Sequence, residues 1–462
     1  MLSSHLTNEI FLKGVGDYLK AHAYSNAKTD DLWLALSGAS GQDVKTFMDP
    51  WIRKIGFPVV TVAEEPGQIS LRQSRFLKSG DAKTEEDETL WWVPVGLKTG
   101  DPAKVIHSAL QQKEDTIRDV DDSFYKINAE QNGFYRTNYP PQRLAKLGQQ
   151  LEKLSTEDRV GVIGDAAALA ISGDATTPAL LSFLEGFQHE EAYVVWAQIQ
   201  GSLAKVRAVF SDNKQISNAL RKFSLKLCSP ATEKLGWDFP KDEDYLTGLL
   251  RKLLLAMASG AGHEGIISTG KQKFEAWQSG DAKAIDHNVR ATVFNMVVAN
   301  GGADEYAAIK KEYANQTSGD GREICLTAMG RTKDAKLARE LLDFVLSDAV
   351  PVQDCHTGPM AIAANNDTRV EVWKFLQAEW EGKMTKVRDS ATVVLDRWIK
   401  IGLNQFSERE IDQQIKTFFK DKDTAGFDRS LAQASDNIEA NASYKERDEA
   451  VLLEWLKANG YA

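Results

Sequence analysis

Cysteine is almost missing from this sequence: its 462 residues hold only Cys228, Cys325 and Cys355. An odd number of widely spaced thiols argues against a disulfide framework and points to a reducing, cytoplasmic setting. Positive charge is in deficit, with a formal net charge of −10. That balance argues against a non-specific nucleic-acid partner, because phosphate binding needs clustered Lys and Arg. No run of about 18 apolar residues occurs, so no membrane-spanning helix is expected. The opening residues, Met1 to Glu9, lack a basic region followed by an apolar core, and no signal peptide is read there.

Histidine is scarce as well. The seven are His5, His22, His107, His189, His263, His287 and His356, and no two stand four apart. This excludes the zinc-peptidase helix, in which two His one turn apart hold the metal and a Glu beside the first acts as base. His189-Glu190 and His263-Glu264 open such a motif, and neither finds its second His. Also missing are a Gly-x-Ser-x-Gly elbow, a phosphate loop and a dinucleotide fingerprint. Nothing in the chain assembles a self-sufficient active site, and no cofactor or metal is assigned to it.

What is present is an ordinary globular composition, 42% hydrophobic and 26% charged, with length for about three domains. Residues 1–54 read as helical. Leu2, Leu6 and Ile10 recur at helical spacing, and Val15, Leu19 and His22 continue it. A second helix follows Thr29 or Asp30 as N-cap, and a third runs from Asp43 through Trp51. These helices are too short to bury their apolar faces among themselves. From residue 55 to 140 the period falls to two. Val59 to Val62, Ile69 with Leu71, Trp91 with Val93, Val95 and Leu97, and Phe134 to Tyr139 read as strands of an antiparallel β-sandwich. The acidic stretch Asp81 to Glu88 reads as a solvated loop.

Residues 141–462 read as a large all-α domain. Leu246, Leu249, Leu250, Leu253, Leu254 and Met257 form an apolar stripe, as do Trp373, Leu376 and Trp380, and Leu395, Trp398 and Ile401. Polar turns at Ala299-Asn-Gly-Gly, Ala328-Met-Gly-Arg and Ala364-Asn-Asn-Asp each precede an amphipathic helix, at intervals of about 30 to 35 residues. Stacked helix pairs of the HEAT or armadillo kind have this spacing, since one pair alone cannot bury its apolar face.

Other residues that could carry chemistry have plainer readings. His5 and Glu9 lie four apart, but a metal site needs three or more protein ligands, and a surface or interdomain contact is the better reading. Cys355-His356 reads as a packed thiol beside an ordinary imidazole, and Trp91-Trp92 as the core and rim of the sandwich. The sequons at Asn315, Asn366 and Asn441 carry little weight without an export signal.

The run from Phe11-Leu-Lys-Gly-Val-Gly-Asp-Tyr-Leu-Lys to Asp31-Leu-Trp resembles the last helices of the catalytic domain in gluzincin zinc aminopeptidases of the puromycin-sensitive and alanyl type. The likeness continues through Met48-Asp-Pro-Trp into Gly56-Phe-Pro-Val-Val-Thr-Val, and again at Asn132-Gly-Phe-Tyr-Arg-Thr-Asn-Tyr. Farther on, Gln353-Asp-Cys and Ala364-Asn-Asn-Asp through Trp373 to Trp380 resemble the family's helical carboxy-terminal domain. The resemblance implies a four-domain parent enzyme with zinc and a peptide substrate. Residues 1–54 are then the end of its catalytic domain, 55–140 its β-sandwich and 141–462 its helical solenoid. The family's zinc ligands and catalytic groups lie upstream of the Phe11 motif, so this chain alone is expected to be inactive. Gly358-Pro-Met-Ala comes nearest to the family's substrate-holding segment, but lacks its Glu and Asn.

By the same resemblance the helical domain closes over the catalytic cleft and shapes the far end of the peptide chamber. Polar residues near the repeat turns, Arg322, Arg331 and Asp354, are the candidate lining residues. The competing reading is a free-standing helical scaffold that binds a peptide or protein partner. A third is a half that complements a separately encoded catalytic domain.

Overall fold

A computed structural model describes residues 1–80, 87–101, 104–389 and 391–462. The chain forms two compact units, Met1–Phe187 and Gln188–Ala462. Most of the acidic stretch, residues 81–86, lies outside the described residues. At its end Asp87 is not a free surface charge. It accepts the backbone N–H of Arg75 at 2.7 Å and the Lys113 ammonium at 2.5 Å.

The first unit opens with four helices, α1 (Leu2–Leu6), α2 (Asn8–Ala21), α3 (Thr29–Ser40) and α4 (Val44–Arg53). Thr7, at φ 71°, breaks what the spacing reads as one helix into α1 and α2. The N-cap of α3 is Lys28, ahead of the expected Thr29 or Asp30. Asp31 fixes it by accepting the Lys28 backbone N–H at 2.7 Å. At α4 the expected Asp43 does cap, accepting from Thr46 N. The four helices share a small core of Leu6, Trp33, Leu36, Val44 and Met48. Part of their apolar surface stays open: Leu12, Leu19 and Leu34 are each at least 60% exposed.

Among the described residues seven strands follow: β1 (Pro58–Glu65), β2 (Gln68–Arg75), β3 (Val93–Thr99), β4 (Val105–Leu110), β5 (Glu114–Arg118), β6 (Tyr125–Lys126) and β7 (Arg136–Asn138). They form a four-stranded sheet ordered β5-β2-β1-β7 and a three-stranded sheet ordered β4-β3-β6. Pairing is antiparallel except for β1 with β7, which run parallel. The β1–β2 turn is Pro66-Gly67, with Gly67 at φ 71°. Alternation buries Val60, Val62, Ile69, Leu71, Val93, Val95 and Leu97. The side chain of Gln73 on β2 bonds both the N–H and the carbonyl of Trp91 at 2.9 Å, tying the first sheet to the approach of the second.

Three helices, α5 (Pro141–Gly148), α6 (Thr156–Ser172) and α7 (Thr177–Leu184), complete the unit. Helix α6 is held to the sheets by charge. Asp158, in its first turn and fully buried, takes Lys126 Nζ from β6 at 2.5 Å and Lys98 Nζ from β3 at 2.8 Å. It also accepts the Glu130 backbone N–H at 2.7 Å. Seven residues on, and so on the same face of α6, Asp165 accepts Arg136 Nη1 and Thr137 N of β7, both at 3.1 Å. The turn at the centre of this network holds Asn128, Glu130 and Gln131 in the left-handed region. Such residues cost of order 1–3 kcal/mol each, and persist where their surroundings over-determine them.

The second unit is helical throughout: α8 (Tyr193–Val209), α9 (Lys214–Leu235), α10 (Tyr245–Ala261), α11 (Glu264–Gln278), α12 (Arg290–Ala299), α13 (Ala303–Asn315), α14 (Gly319–Met329), α15 (Ala335–Val345), α16 (Thr357–Ala363), α17 (Val370–Glu379), α18 (Thr385–Arg388), α19 (Thr392–Leu403), α20 (Arg409–Phe419) and α21 (Asp428–Ala458). Helices α8, α10, α12, α14, α16, α19 and α21 are neighbours in that order, and α21 packs back on α8 and α9. The series thus closes into a cycle within the unit. Phe210 meets Tyr444 edge-on at 5.2 Å, and Ser407 donates to Val209 O at 3.2 Å across the closure. The expected stripes point inward at Leu250, Leu254, Met257, Trp373, Leu376, Trp380, Leu395 and Trp398, whereas Leu246 is half exposed.

Burial raises the Asp158 carboxyl, but Lys126 and Lys98 together outweigh it and hold it below the ordinary carboxylate value. Its stabilisation is therefore complete above that ordinary value, about pH 4, and is lost as pH falls through the depressed one. Replacing Asp158 by Ala leaves the buried Lys126 ammonium without its carboxylate, while Lys98 keeps Glu130 at 2.6 Å, and is expected to cost about 3–5 kcal/mol. Urea denaturation as a function of pH checks both: the mutant loses that stability at neutral pH, and its acid limb flattens.

Candidate functional site

Six helices of the second unit end at one cavity of about 600 Å³. Its wall takes Arg207 and Ala208 from the end of α8, Ser259 and Gly260 from α10, and Ala299 and Asn300 from α12. Arg331 and Lys333 follow α14, Asn365 to Asp367 follow α16, and Gln405 follows α19. Three of these segments are the polar turns of the sequence repeat. Stacking neighbouring helices in one layer carries their C-terminal turns to the same place.

That geometry dictates the residue types. The last carbonyls of an α-helix have no partner inside the helix, so a cavity ringed by helix C-termini needs N–H donors. Asn365 Nδ2 donates to Gly330 O at 3.2 Å and Thr332 O at 2.7 Å. Asn300 Nδ2 reaches Met296 O at 2.9 Å, Asn366 Nδ2 reaches Arg207 O at 3.2 Å, and Arg207 Nη2 reaches Gly260 O at 3.3 Å. Arg369, at the start of α17, donates one nitrogen to Ala208 O at 2.9 Å and Gln405 O at 3.1 Å, while its other pairs with Glu408. One buried guanidinium therefore fixes three segments of the rim.

Two cations are left over. Arg331 and Lys333 line the cavity, and among the described residues neither side chain has a hydrogen bond or a carboxylate partner. Burial pushes the Arg331 guanidinium down from its ordinary value with no counter-charge opposing it. Burial, and then the like charge of Arg221, do the same to Arg207. Elsewhere in the unit several half-buried and buried arginines have carboxylate partners, as in Arg251 with Glu243, Arg339 with Glu379 and Arg388 with Glu381. The Oδ1 of Asn295 on the same wall is buried without a partner. The cavity can thus hold a chain carrying a negative end and further amide groups.

Of the three residues singled out from the sequence, Arg331 lines this cavity and Arg322 and Asp354 do not. Those two lie near Tyr313 instead. Arg322 donates to Gln316 O at 3.1 Å and sits over the Tyr313 ring. Sequence reading missed Arg207, Lys333 and Arg369. Lys333 shares the turn of Arg331 and was within reach of the repeat argument, whereas Arg207 belongs to a helix outside the repeats.

The remaining candidates have structural surroundings. His5 bonds Gln42 Oε1 at 2.9 Å and stands edge-on to Trp92, itself stacked on Phe47 at 4.4 Å. Burial pushes the thiols of Cys228 and Cys325 up to about 11 and about 12, and raises Cys355, which leaves all three in the inert protonated form at neutral pH. Burial and then Arg397 lower His356, whose Nε2 lies 3.2 Å from the Arg397 guanidinium. The described residues do not fit a catalytic zinc ion: no group of three or more His, Cys, Asp or Glu gathers among them. Nor, among them, is any helix long and apolar enough to cross a membrane.

Residues 124–440 match the family model of the ERAP1-like C-terminal domain, and residues 1–51 match that of the peptidase family M1 domain. The chain is 35% identical to Aminopeptidase 2, mitochondrial, of Saccharomyces cerevisiae, over 100% of this chain and 48% of that protein. It is also 35% identical to the Alanine/arginine aminopeptidase of the same yeast, covering 100% and 54%. With Aminopeptidase M1-D of Oryza sativa subsp. japonica it shares 30% identity, covering 98% and 53%. The chain spans about half the length of the relatives it matches, and corresponds to their C-terminal part.

Changing Arg369 to Gln removes the fork that ties Ala208, Gln405 and Glu408. It is expected to cost about 2–3 kcal/mol. Hydrogen–deuterium exchange checks the location: protection falls first at residues 205–210 and 404–408.

Proposed function

Because the chain belongs to the ERAP1-like C-terminal domain family, joined at residues 1–51 to the end of a peptidase family M1 domain, we propose that it is the carboxy-terminal portion of a zinc-dependent aminopeptidase. Such an enzyme removes amino-terminal residues from peptides, and this portion encloses and gates the peptide chamber. Zinc belongs to the catalytic part of the parent, and the chain by itself releases no amino acids. We keep the three-part division of 1–54, 55–140 and 141–462, with a HEAT-like solenoid as the third part and a cytoplasmic setting, which the three buried free thiols support.

One observation carries the reading: the cavity where the repeat turns converge offers Arg331 and Lys333 without partners. A peptide's terminal carboxylate supplies the missing charge, and an extended backbone supplies groups for the unpaired amide of Asn295. A second observation supports the catalytic domain as a partner. Leu12 and Leu19, seven apart on one face of α2, are 65% and 60% exposed, and Leu34 of α3 is 65% exposed. Apolar surface of this kind marks a docking face.

Elemental analysis and a leucyl or alanyl fluorogenic substrate test the activity. The expected result is no stoichiometric zinc and no turnover, with turnover regained on adding the catalytic part of an M1 aminopeptidase. Zinc-dependent turnover by the chain alone overturns it. Peptide capture is tested separately by fluorescence anisotropy. A labelled peptide with a free carboxyl terminus is expected to bind about tenfold more tightly than its amide, and Arg331→Gln abolishes the difference. A preference that survives this substitution excludes the cavity as the chamber wall. It would favour a scaffold that binds its partner elsewhere.

A further inference from the structure

The first unit holds a second, smaller cavity of about 150 Å³ between β7, α5, α6 and α7. Leu144, Val162, Ala166, Leu169 and Ala179 make its apolar wall, and Thr137 of β7 lines it as well. Protein interiors are close-packed, and voids larger than a water molecule are few. Here the space exists because α6 and α7 present alanines, Ala166 and Ala179, where a leucine would fill it.

The wall is fixed on every side, so the space does not close by relaxation. Asp165, beside Ala166, is held by Arg136 and the Thr137 N–H. Asn138 Nδ2 donates to Asp174 O at 3.0 Å and staples the strand to the α6–α7 connection. The Tyr139 hydroxyl is locked between Ile127 N at 2.9 Å and Ile127 O at 3.1 Å. A pocket whose walls are already ordered binds a ligand with little ordering cost.

Of the polar side chains that also line the cavity, Asn138, Asp174 and Thr176 have hydrogen-bond partners and Thr137 does not. Thr137 is 4% exposed, and its hydroxyl is buried with no hydrogen-bond partner. Buried hydroxyls are nearly always paired, and an orphan calls for a missing partner. A cavity of this size lined by aliphatic side chains admits a molecule as large as benzene.

We propose that this pocket is a binding site for a small, mostly apolar molecule of about phenol size, carrying one hydroxyl that bonds Thr137. The site is independent of the peptide-receiving cavity, lies in the other unit and needs no peptide to be occupied. Its chemistry is that of a substituted benzene ring or a short branched alcohol. One end is buried among aliphatic carbons and the other is satisfied by a single oxygen.

The test uses the 462-residue chain with phenol and toluene as probes, followed by thermal shift and isothermal titration. Phenol is expected to bind one to one and to raise the melting temperature with concentration. Toluene is expected to bind more weakly, by about threefold to tenfold, the worth of one hydrogen bond. Thr137→Val abolishes that preference while leaving toluene binding unchanged. Ala166→Leu fills the space, abolishes binding of both probes and raises the melting temperature of the free protein. Should that variant not fold, Ala179→Leu fills the same space from the opposite helix. The proposal is overturned if neither probe binds at low millimolar concentration. It is overturned equally if the preference for phenol survives Thr137→Val, or if the filled variants bind as the parent chain does. A crystal structure at high resolution in which ordered water on Thr137 persists in the presence of phenol also sinks it.

Discussion

A helix must dispose of its last carbonyls, and in the second unit that requirement organises everything around it. Six helices end at one cavity, so the wall is built from donors: two asparagines and two arginines cap carbonyls of neighbouring segments, and Asn300 caps Met296 O of its own helix. Arg369 matters most, because a single planar fork joins the end of α8, the start of α17 and the turn after α19. Once these bonds are counted, Arg331 and Lys333 remain as surplus charge. The functional reading is thus what is left after the structural needs of the fold have been met.

The first unit solves a different problem. Its sheets are small, and β6 and β7 are only two and three residues long, too short for stability of their own. Buried charge on α6 does what strand length cannot. Asp158 ties β3 and β6, and Asp165 ties β7, from one face of one helix. Buried ion pairs of this kind are costly to break and give little net stability when intact. Their effect is to specify one arrangement, here with three left-handed residues pinned between Lys126 and Gly133.

Family membership fits this division of labour. Among the described residues there is no metal cluster, and the thiols are held inert by burial. The surfaces that stand out are those that would face something else: the exposed leucines of α2 and α3 and the unpaired cations of the cavity. Both are the features on which the proposed function rests.

The helical regions and the core strands of the sheets are legible in the residue pattern alone. Period-two alternation located β2 and β3, a β-branched run located β1, an aromatic-rich run located β7, and apolar stripes located α10, α17 and α19. The missing pair of His excluded the zinc helix, and the Phe11 and Asn132 runs identified the family. The strands β4 and β5 were not legible, because β4 is largely exposed and β5 is polar but for Ile117, leaving no alternation to read. The repeat turns announced themselves, and Arg331 with them, but their meeting point did not. Convergence of six helix ends, the use of Arg369 as a clasp and the separation of Arg322 and Asp354 from the cavity arise from packing between segments up to about 200 residues apart. Local periodicity carries the direction of a side chain relative to its own helix. It carries nothing about which distant carbonyl that side chain will meet, and that only the tertiary structure decided.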